Sequence, residues 1–336
     1  MRDRSYPLRR DAALLPFLQF AMRAGAPGRR GSRLSILVYH RVHRRPDPLF
    51  PGEVDAERFE RQMQWIGRIF NVLPLDDALK RLSANALPTL PACITFDDGY
   101  ADNLEVAVPI LQRQGLTATF FISAGFVDGG RMWNDTIIES VRATNQEALD
   151  LTQFGLGVFP MATLANRRTA IRALVSDQKY RPPAERADGC AAIADAAKVT
   201  PPTDLMLRSD QILQLHRAGM GIGAHTMTHP ILASLPLDEA RREISDSRDV
   251  LERIVGERIA LFAYPNGKPG ADYGAQHVEM VRALGFDAAL STAWGVATKT
   301  TDLYQLPRFT PWDRSPVRFV LRLAQNLFNP VRSVPI

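Results

Sequence analysis

Two neighbouring aspartates, Asp97 and Asp98, are the residues of this 336-residue chain whose types and spacing most directly suggest chemistry. They follow the apolar run Ala92-Cys93-Ile94, which predicts a buried strand, and they precede Gly99. Ionised aspartates are rarely buried without a partner, so a pair at a strand end is difficult to explain as packing. A turn at Gly99 would let both side chains face one crevice, where one carboxylate holds a cation and the other acts as a base. The alternative is that the pair caps the helix predicted over 101–114.

A second group with metal-binding chemistry is the pair His225 and His229, which follows a predicted strand over 221–224. Histidines four residues apart on one face of a helical turn are close enough to share a metal. This spacing also occurs by chance, but its combination with a strand-end aspartate pair favours a metal site. One carboxylate and two imidazoles leave coordination positions for water and substrate, which is typical of catalytic sites that activate water and polarise a carbonyl.

These motifs carry a resemblance to a known family. T-F-D-D-G-Y at 95–100 and H-T-M-T-H at 225–229 are highly specific for it. Over about 34–309, apart from an insertion, the chain resembles the polysaccharide deacetylase superfamily (carbohydrate esterase family 4, NodB-homology fold). Its motifs are most similar to those of the poly-N-acetylglucosamine deacetylase-like branch. The resemblance implies a distorted (β/α) barrel, and it assigns the general base to Asp97 and the metal to three ligands: Asp98, His225 and His229.

The third family motif, normally Arg-x-Pro-Tyr-Gly, reads Ala-Tyr-Pro-Asn-Gly here, at 263–267. Ala263 stands where the family's arginine would orient the base. We predict that Arg308 replaces it, although Arg308 could equally be an ordinary surface or salt-bridging arginine. By resemblance, the backbone N–H of Asn266 completes an oxyanion hole and contacts substrate, and a backbone donor tolerates a change of side chain. Tyr264 in the same turn is a further predicted substrate contact.

The family commonly takes its general acid from a late Leu-x-His motif, but no histidine follows His277. The run V-Y-H-R-V at 38–42 resembles the early histidine motif of the poly-N-acetylglucosamine branch, so we predict His40 as the general acid. The alternative is a core histidine that bonds to backbone. Trp133 could offer a flat face to a pyranose ring, although tryptophans more often simply pack.

Strand and helix patterns alternate around these motifs, which predicts an α/β protein with a parallel sheet closed into a barrel. In such folds chemistry lies at the C-terminal strand ends, where the predicted site residues fall. The alternation lapses over about 125–205, which we interpret as a mainly helical insertion. We therefore predict a basic arm over 1–33 and one barrel domain over 34–330.

The charge of the chain is unevenly distributed. Residues 1–45 contain eleven Arg, no Lys and two Asp, a net charge of +9, so the remainder carries −4 of the overall +5. An arginine run without interleaved aromatics does not indicate a nucleic-acid partner, but it is compatible with peripheral membrane contact.

Cys93 and Cys190 form no spaced pair, which argues against a disulfide framework or a thiolate zinc site. No span of about 20 apolar residues is present, so we predict no transmembrane helix and a cytoplasmic protein, with membrane association as an alternative.

The sequence therefore predicts a metal-dependent hydrolase that removes N-acetyl groups from an acetylated oligo- or polysaccharide. Asp97 would act as general base and His40 as general acid. Zinc is the predicted metal, and cobalt, nickel and manganese suit the same ligand set. Two alternatives stay open: an O-acetyl esterase on the same metal site, and a catalytically silent glycan-binding protein, the latter because Ala263 replaces the motif arginine.

Overall fold

A computed structural model describes residues 33–311, 313–326 and 331–335. Strands alternate with helices along most of this length. The strands are β1 Arg33–Tyr39, β2 Asn71–Val72, β3 Pro91–Phe96, β4 Thr119–Ile122, β5 Ala148–Asp150, β6 Val158–Pro160, β7 Gly221–Ala224, β8 Leu261–Ala263, β9 Ala288–Leu290 and β10 Ala297–Thr298. The helices are α1 Ala56–Ile69, α2 Leu75–Ser83, α3 Val108–Arg113, α4 Trp133–Ala143, α5 Leu164–Gln178, α6 Pro183–Ala197, α7 Ser209–Arg217, α8 Leu237–Val255, α9 Ala275–Ala283 and α10 Pro316–Asn326.

The main sheet follows the order β10-β1-β3-β4-β7-β8-β9, with β2 paired to the start of β3. Its pairs are parallel except for β1 with β10. The segment 306–309 lies between β9 and β1: Leu306 N–H bonds to Ala289 O, and Phe309 N–H bonds to Ile36 O. The curled sheet with its surrounding helices confirms the predicted distorted (β/α) barrel.

The strands of this sheet are apolar because they are covered on both faces, as expected of a parallel sheet. All residues of β3 are buried, and Phe96 at its end stacks on Phe120 of β4 with ring centroids 4.8 Å apart. Helices α1 and α2 cover the outside of the sheet with one apolar stripe each. In α1, Asp55 caps the N-terminus by accepting the Arg58 N–H at 3.0 Å, and Phe59 and Met63 face the core.

The chain between β4 and β7 carries helices α4, α5, α6 and α7 and the antiparallel hairpin of β5 and β6. Ile137, Leu149, Leu174 and Ile193 centre a separate apolar cluster there. This segment includes the whole of the predicted insertion over 125–205, whose domain boundaries stay a prediction. Residues 1–32 of the predicted arm lie outside the described residues. Among those described, no helix is both long and apolar enough to cross a membrane.

The helix predicted over 101–114 is present, and its residues Asn103–Ala107 form a π-helical turn before α3. Ser209 is the first residue of α7, and its N–H and hydroxyl both bond to Asp128.

Candidate metal and catalytic site

The aspartate pair leaves the end of β3 in a strained turn. Asp98 has φ +76° and Gly99 has φ +86°, a conformation that favours glycine. A Cβ on Gly99 would lie 2.8 Å from Cγ2 of Ile122, so the turn has no room for a side chain there. Asp97 and Asp98 are only 2% and 6% exposed. Two carboxylates are therefore buried at the C-terminal end of the central strand, where packing alone would not retain them.

Asp98 lies against the two predicted histidines. Its Oδ1 is 3.5 Å from Nε2 of His225 and 3.4 Å from Nε2 of His229. One ligand atom from each of the three residues lies within 4.8 Å of the others, which makes them a group able to hold a metal ion. His225 follows β7 and Asp98 follows β3, so the meeting of parallel strand ends brings the group together.

The two histidines do not lie on a helical turn, contrary to the prediction. Residues 225–230, which we call the histidine loop, are irregular, and both Thr226 and His229 have positive φ, +65° and +54°. Glu243 of α8 accepts hydrogen bonds from Met227 N–H, Thr228 N–H and the Thr228 hydroxyl, at 2.7 to 2.8 Å. We did not anticipate Glu243 from the sequence, because nothing in the local pattern of a charged helix marks one glutamate.

A divalent metal fits these three side chains. Asp98 Oδ1 is buried without a hydrogen-bond partner among the described residues, which is costly unless a cation or a solvent molecule is there. His225 Nδ1 donates to Ala263 O at 2.7 Å, which fixes the tautomer and leaves Nε2 as the free ligand atom. One carboxylate with two imidazoles suits zinc and similar divalent metals.

The electrostatics of the group agree with that fit. Burial opposes ionisation of Asp98, yet the adjacent imidazoles hold its pKa well below the usual value. Burial lowers the pKa of His229 to about 4, so its imidazole is neutral near pH 7 and can donate a lone pair. Burial also opposes a charge on His225, but the carboxylates of Asp97 and Asp98 outweigh it and raise its pKa. A divalent metal bound here would place a positive charge next to these carboxylates.

Asp97 is held by Arg308 through a bidentate ion pair. Nη1 and Nη2 of Arg308 each donate to one carboxylate oxygen at 2.7 Å, and Nε donates to Ser291 O at 2.9 Å. Burial alone would raise the pKa of Asp97, but the Arg308 guanidinium lowers it below the usual value. Arg308 is neither a surface arginine nor distant from the base. It reaches Asp97 from the 306–309 segment that closes the barrel.

The turn after β8 presents a backbone donor. Asn266 has φ +56°, and its carbonyl accepts the Thr292 hydroxyl at 2.6 Å. No acceptor among the described residues is hydrogen-bonded to the Asn266 N–H. Asparagine tolerates this left-handed conformation better than most non-glycine residues.

His40 follows β1, and its backbone carbonyl accepts Asn103 Nδ2 at 2.8 Å. Its side chain is exposed and lines a cavity of about 490 Å³ that Asp98 also lines. The alternative of a core histidine therefore does not describe the structure. The structure therefore places the His40 side chain in the same cavity as Asp98.

Two predicted substrate contacts are not brought to this cavity. Tyr264 is fully buried, stacks on Tyr273 at 3.9 Å and donates to Tyr304 O, so we correct its assignment to a core residue. The ring of Trp133 packs on the apolar cluster between β4 and β7, with the Arg186 guanidinium 5.1 Å from its centroid. Trp133 is half-buried and does not line the cavity beside Asp98, so its role as a sugar contact stays a prediction.

Comparison with known proteins gives one family. The sequence profile described as "Polysaccharide deacetylase" matches residues 85–289. A relative from Bacillus subtilis, "Putative polysaccharide deacetylase YxkH", is 20% identical over 279 residues, which are 82% of this chain and 71% of that protein.

Solved structures share the fold. The Streptococcus pyogenes deacetylase PplD in complex with acetate aligns with a TM-score of 0.59 at 21% identity, covering 89% of this chain and 99% of that one. IcaB from Ammonifex degensii aligns with a TM-score of 0.55 at 18% identity, covering 87% and 98%. At these identities the structural likeness supports the barrel architecture, while the profile match spans more than half of the sequence. This chain belongs to the polysaccharide deacetylase family.

Proposed function

We propose that this protein is a metal-dependent deacetylase that hydrolyses N-acetyl groups on an oligo- or polysaccharide. One observation carries the proposal: a carboxylate–imidazole group suited to a divalent metal lies next to a second buried carboxylate, Asp97, which Arg308 keeps ionised. A metal ligand set and a separate base at one barrel mouth are the requirements of hydrolysis at a carbonyl.

Asp98, His225 and His229 would hold the metal, for which zinc is our first choice. When bound, a divalent metal supplies Lewis acidity, which polarises the acetyl carbonyl and lowers the pKa of water. The hydrogen bond from His225 Nδ1 to Ala263 O keeps the imidazole in the orientation and tautomer that this role requires.

Asp97 would accept the proton of the attacking water. Its two oxygens are oriented by the planar guanidinium of Arg308, and that charge keeps the carboxylate ionised although it is buried. General base catalysis of this kind contributes about 10²–10⁴-fold to the rate. In the family motif an arginine would stand at Ala263, and Arg308 would provide the same orientation from a different strand segment.

The developing negative charge on the acetyl oxygen would be stabilised by the Asn266 N–H. Removing one such donor typically costs about 3–4 kcal/mol of transition-state stabilisation. His40, exposed in the cavity, would then protonate the leaving nitrogen so that the C–N bond can break.

Acetate release from a panel of N-acetylated and O-acetylated oligosaccharides tests the proposal. We expect release from an N-acetylated sugar, and we expect Asp97→Asn to remove it while Asp188→Asn, at an exposed position of α6, does not. Release from O-acetylated substrates alone would identify an O-acetyl esterase. Tight oligosaccharide binding without any release would identify a silent glycan-binding protein.

A further inference from the structure

Two buried side-chain oxygens beside the proposed site have no hydrogen-bond partner among the described residues: Oδ1 of Asn134 and Oδ2 of Asp135. Both residues line the cavity of about 490 Å³ that also contains Asp98 and His40. Asp135 is 2% exposed, and its other oxygen accepts the Tyr100 hydroxyl at 3.3 Å. Buried polar atoms are normally satisfied, so these two oxygens require a hydrogen-bond donor from a ligand or from solvent.

The cations of the cavity wall do not satisfy these oxygens, because they are already paired. Arg142 forms a bidentate pair with Asp47 at 2.9 and 2.7 Å, and Arg41 bonds to Asp102 at 2.8 Å. Among the described residues that line the cavity, these pairs therefore leave no unpaired arginine to attract an anionic ligand. The ligand that fits Asn134 and Asp135 therefore brings its own donors.

We propose that Asn134 and Asp135 form a saccharide subsite whose free oxygens accept hydrogen bonds from the hydroxyl groups of a neutral sugar unit of the substrate. The inference rests on the proposed function, since it takes a glycan as the ligand. Phe50 and Ile138 on the same wall offer an apolar surface to the C–H face of a pyranose ring. The cavity volume lies within the range of roughly 300–1,000 Å³ that is common for small-molecule sites.

A sugar can also donate hydrogen bonds from a free amine, which occurs on glycans that have already lost acetyl groups. Burial raises the pKa of Asp135 to about 7, so the carboxyl carries only part of a negative charge near neutral pH. A partly neutral acceptor in a buried wall favours uncharged hydroxyl groups over an ammonium, which would need a full counter-charge.

Binding measured by calorimetry in an Asp97→Asn background, which prevents turnover, tests this subsite. The probes are oligosaccharides of N-acetylglucosamine and of N-acetylgalactosamine, each with and without their acetyl groups. Asn134→Ala removes one acceptor, and Asn134→Asp restores it. Asp135→Asn keeps the shape and the acceptor for Tyr100 but replaces the other oxygen with an amide nitrogen. Matched controls at exposed positions are Asn145→Ala and Asp188→Asn.

We expect Asn134→Ala and Asp135→Asn each to weaken binding by about 3- to 10-fold. The loss should be seen with both the acetylated and the free-amine probes. Asn134→Asp and the two controls should bind with near-normal affinity. Unchanged affinity in both variants would overturn the subsite. A loss confined to the free-amine probes would also overturn it, in favour of amine recognition. Acetate release by the unsubstituted protein, measured on the same panel, keeps the two proposals separate: release without any effect of Asn134→Ala or Asp135→Asn refutes only the subsite.

Discussion

Replacing Arg308 with methionine would leave the Asp97 carboxylate buried without its bidentate partner. Both N–O distances are 2.7 Å, and the two side chains are 0% and 3% exposed. Removing one member of a buried pair costs about 3–5 kcal/mol because an uncompensated charge remains. Methionine keeps most of the aliphatic volume, so the loss comes mainly from the charge and the hydrogen bonds. We expect Arg308→Met to lower the free energy of unfolding by that amount.

The chain offers a control with the same geometry and different burial. Arg258 binds both oxygens of Asp287 at 3.1 and 2.7 Å, but these side chains are 58% and 61% exposed. Exposed pairs contribute about 0–1 kcal/mol, so Arg258→Met should have little effect. Urea denaturation of both variants, and of the double variant Asp97→Asn/Arg308→Met, measures the loss in the free energy of unfolding for each. The double variant should lose less than the sum of its single substitutions, because no buried carboxylate is left unpaired.

Acetate release should likewise be lost in Arg308→Met and kept in Arg258→Met. In Arg308→Met the carboxyl of Asp97 either loses its orientation or takes up a proton, and each change removes the base. Equal destabilisation by Arg308→Met and Arg258→Met, or acetate release in Arg308→Met equal to that of the unsubstituted protein, would refute the role assigned to this arginine.

Three further predictions concern other residues. Glu243→Ala removes three hydrogen bonds from the histidine loop. We expect it to weaken metal affinity by about 10-fold or more in a chelator competition. The control Glu239→Ala, at an exposed position of the same helix, should leave the affinity unchanged. Asn266→Gly should keep both stability and acetate release, because the proposed donor belongs to the backbone. Asn266→Val should lower the free energy of unfolding by about 1–2 kcal/mol in thermal melts, because valine does not tolerate the positive φ. Equal stability of the two variants would contradict this. Burial raises the pKa of Asp47, but its ion pair with Arg142 outweighs this and lowers it. The stabilisation is therefore present above the unfolded-state pKa of about 3.9 and is lost as the pH falls below it. The stability difference between the unsubstituted protein and Asp47→Asn should shrink in acid melts, and a difference independent of pH would contradict the pairing.

The parts of the site that local patterns could predict are those at strand ends. An apolar run followed by Asp97 and Asp98, and a second strand followed by His225, are visible in the sequence. Because the carboxyl ends of parallel strands meet at one edge, their convergence follows once the alternation of strands and helices is recognised. The boundaries of β7 match the predicted strand at both ends, Gly221 and Ala224.

The parts that could not be derived from local patterns depend on contacts between distant segments. Arg308 lies 211 residues from Asp97, and it reaches the carboxylate because the 306–309 segment closes the barrel. Tyr264 was expected at the substrate, but the stacking with Tyr273 places its ring in the core. The conformation of the histidine loop is set by Glu243, which no spacing rule connects to it.

The measurement that tests the central claim most directly is metal content and acetate release on the same preparations of the unsubstituted protein, Asp97→Asn and Asp98→Asn. The account predicts that Asp98→Asn loses metal and acetate release together, because it removes a ligand. It predicts that Asp97→Asn retains metal and loses release, because it removes only the base. Full metal content in Asp98→Asn, or full acetate release in Asp97→Asn, would contradict this division of roles between the two aspartates.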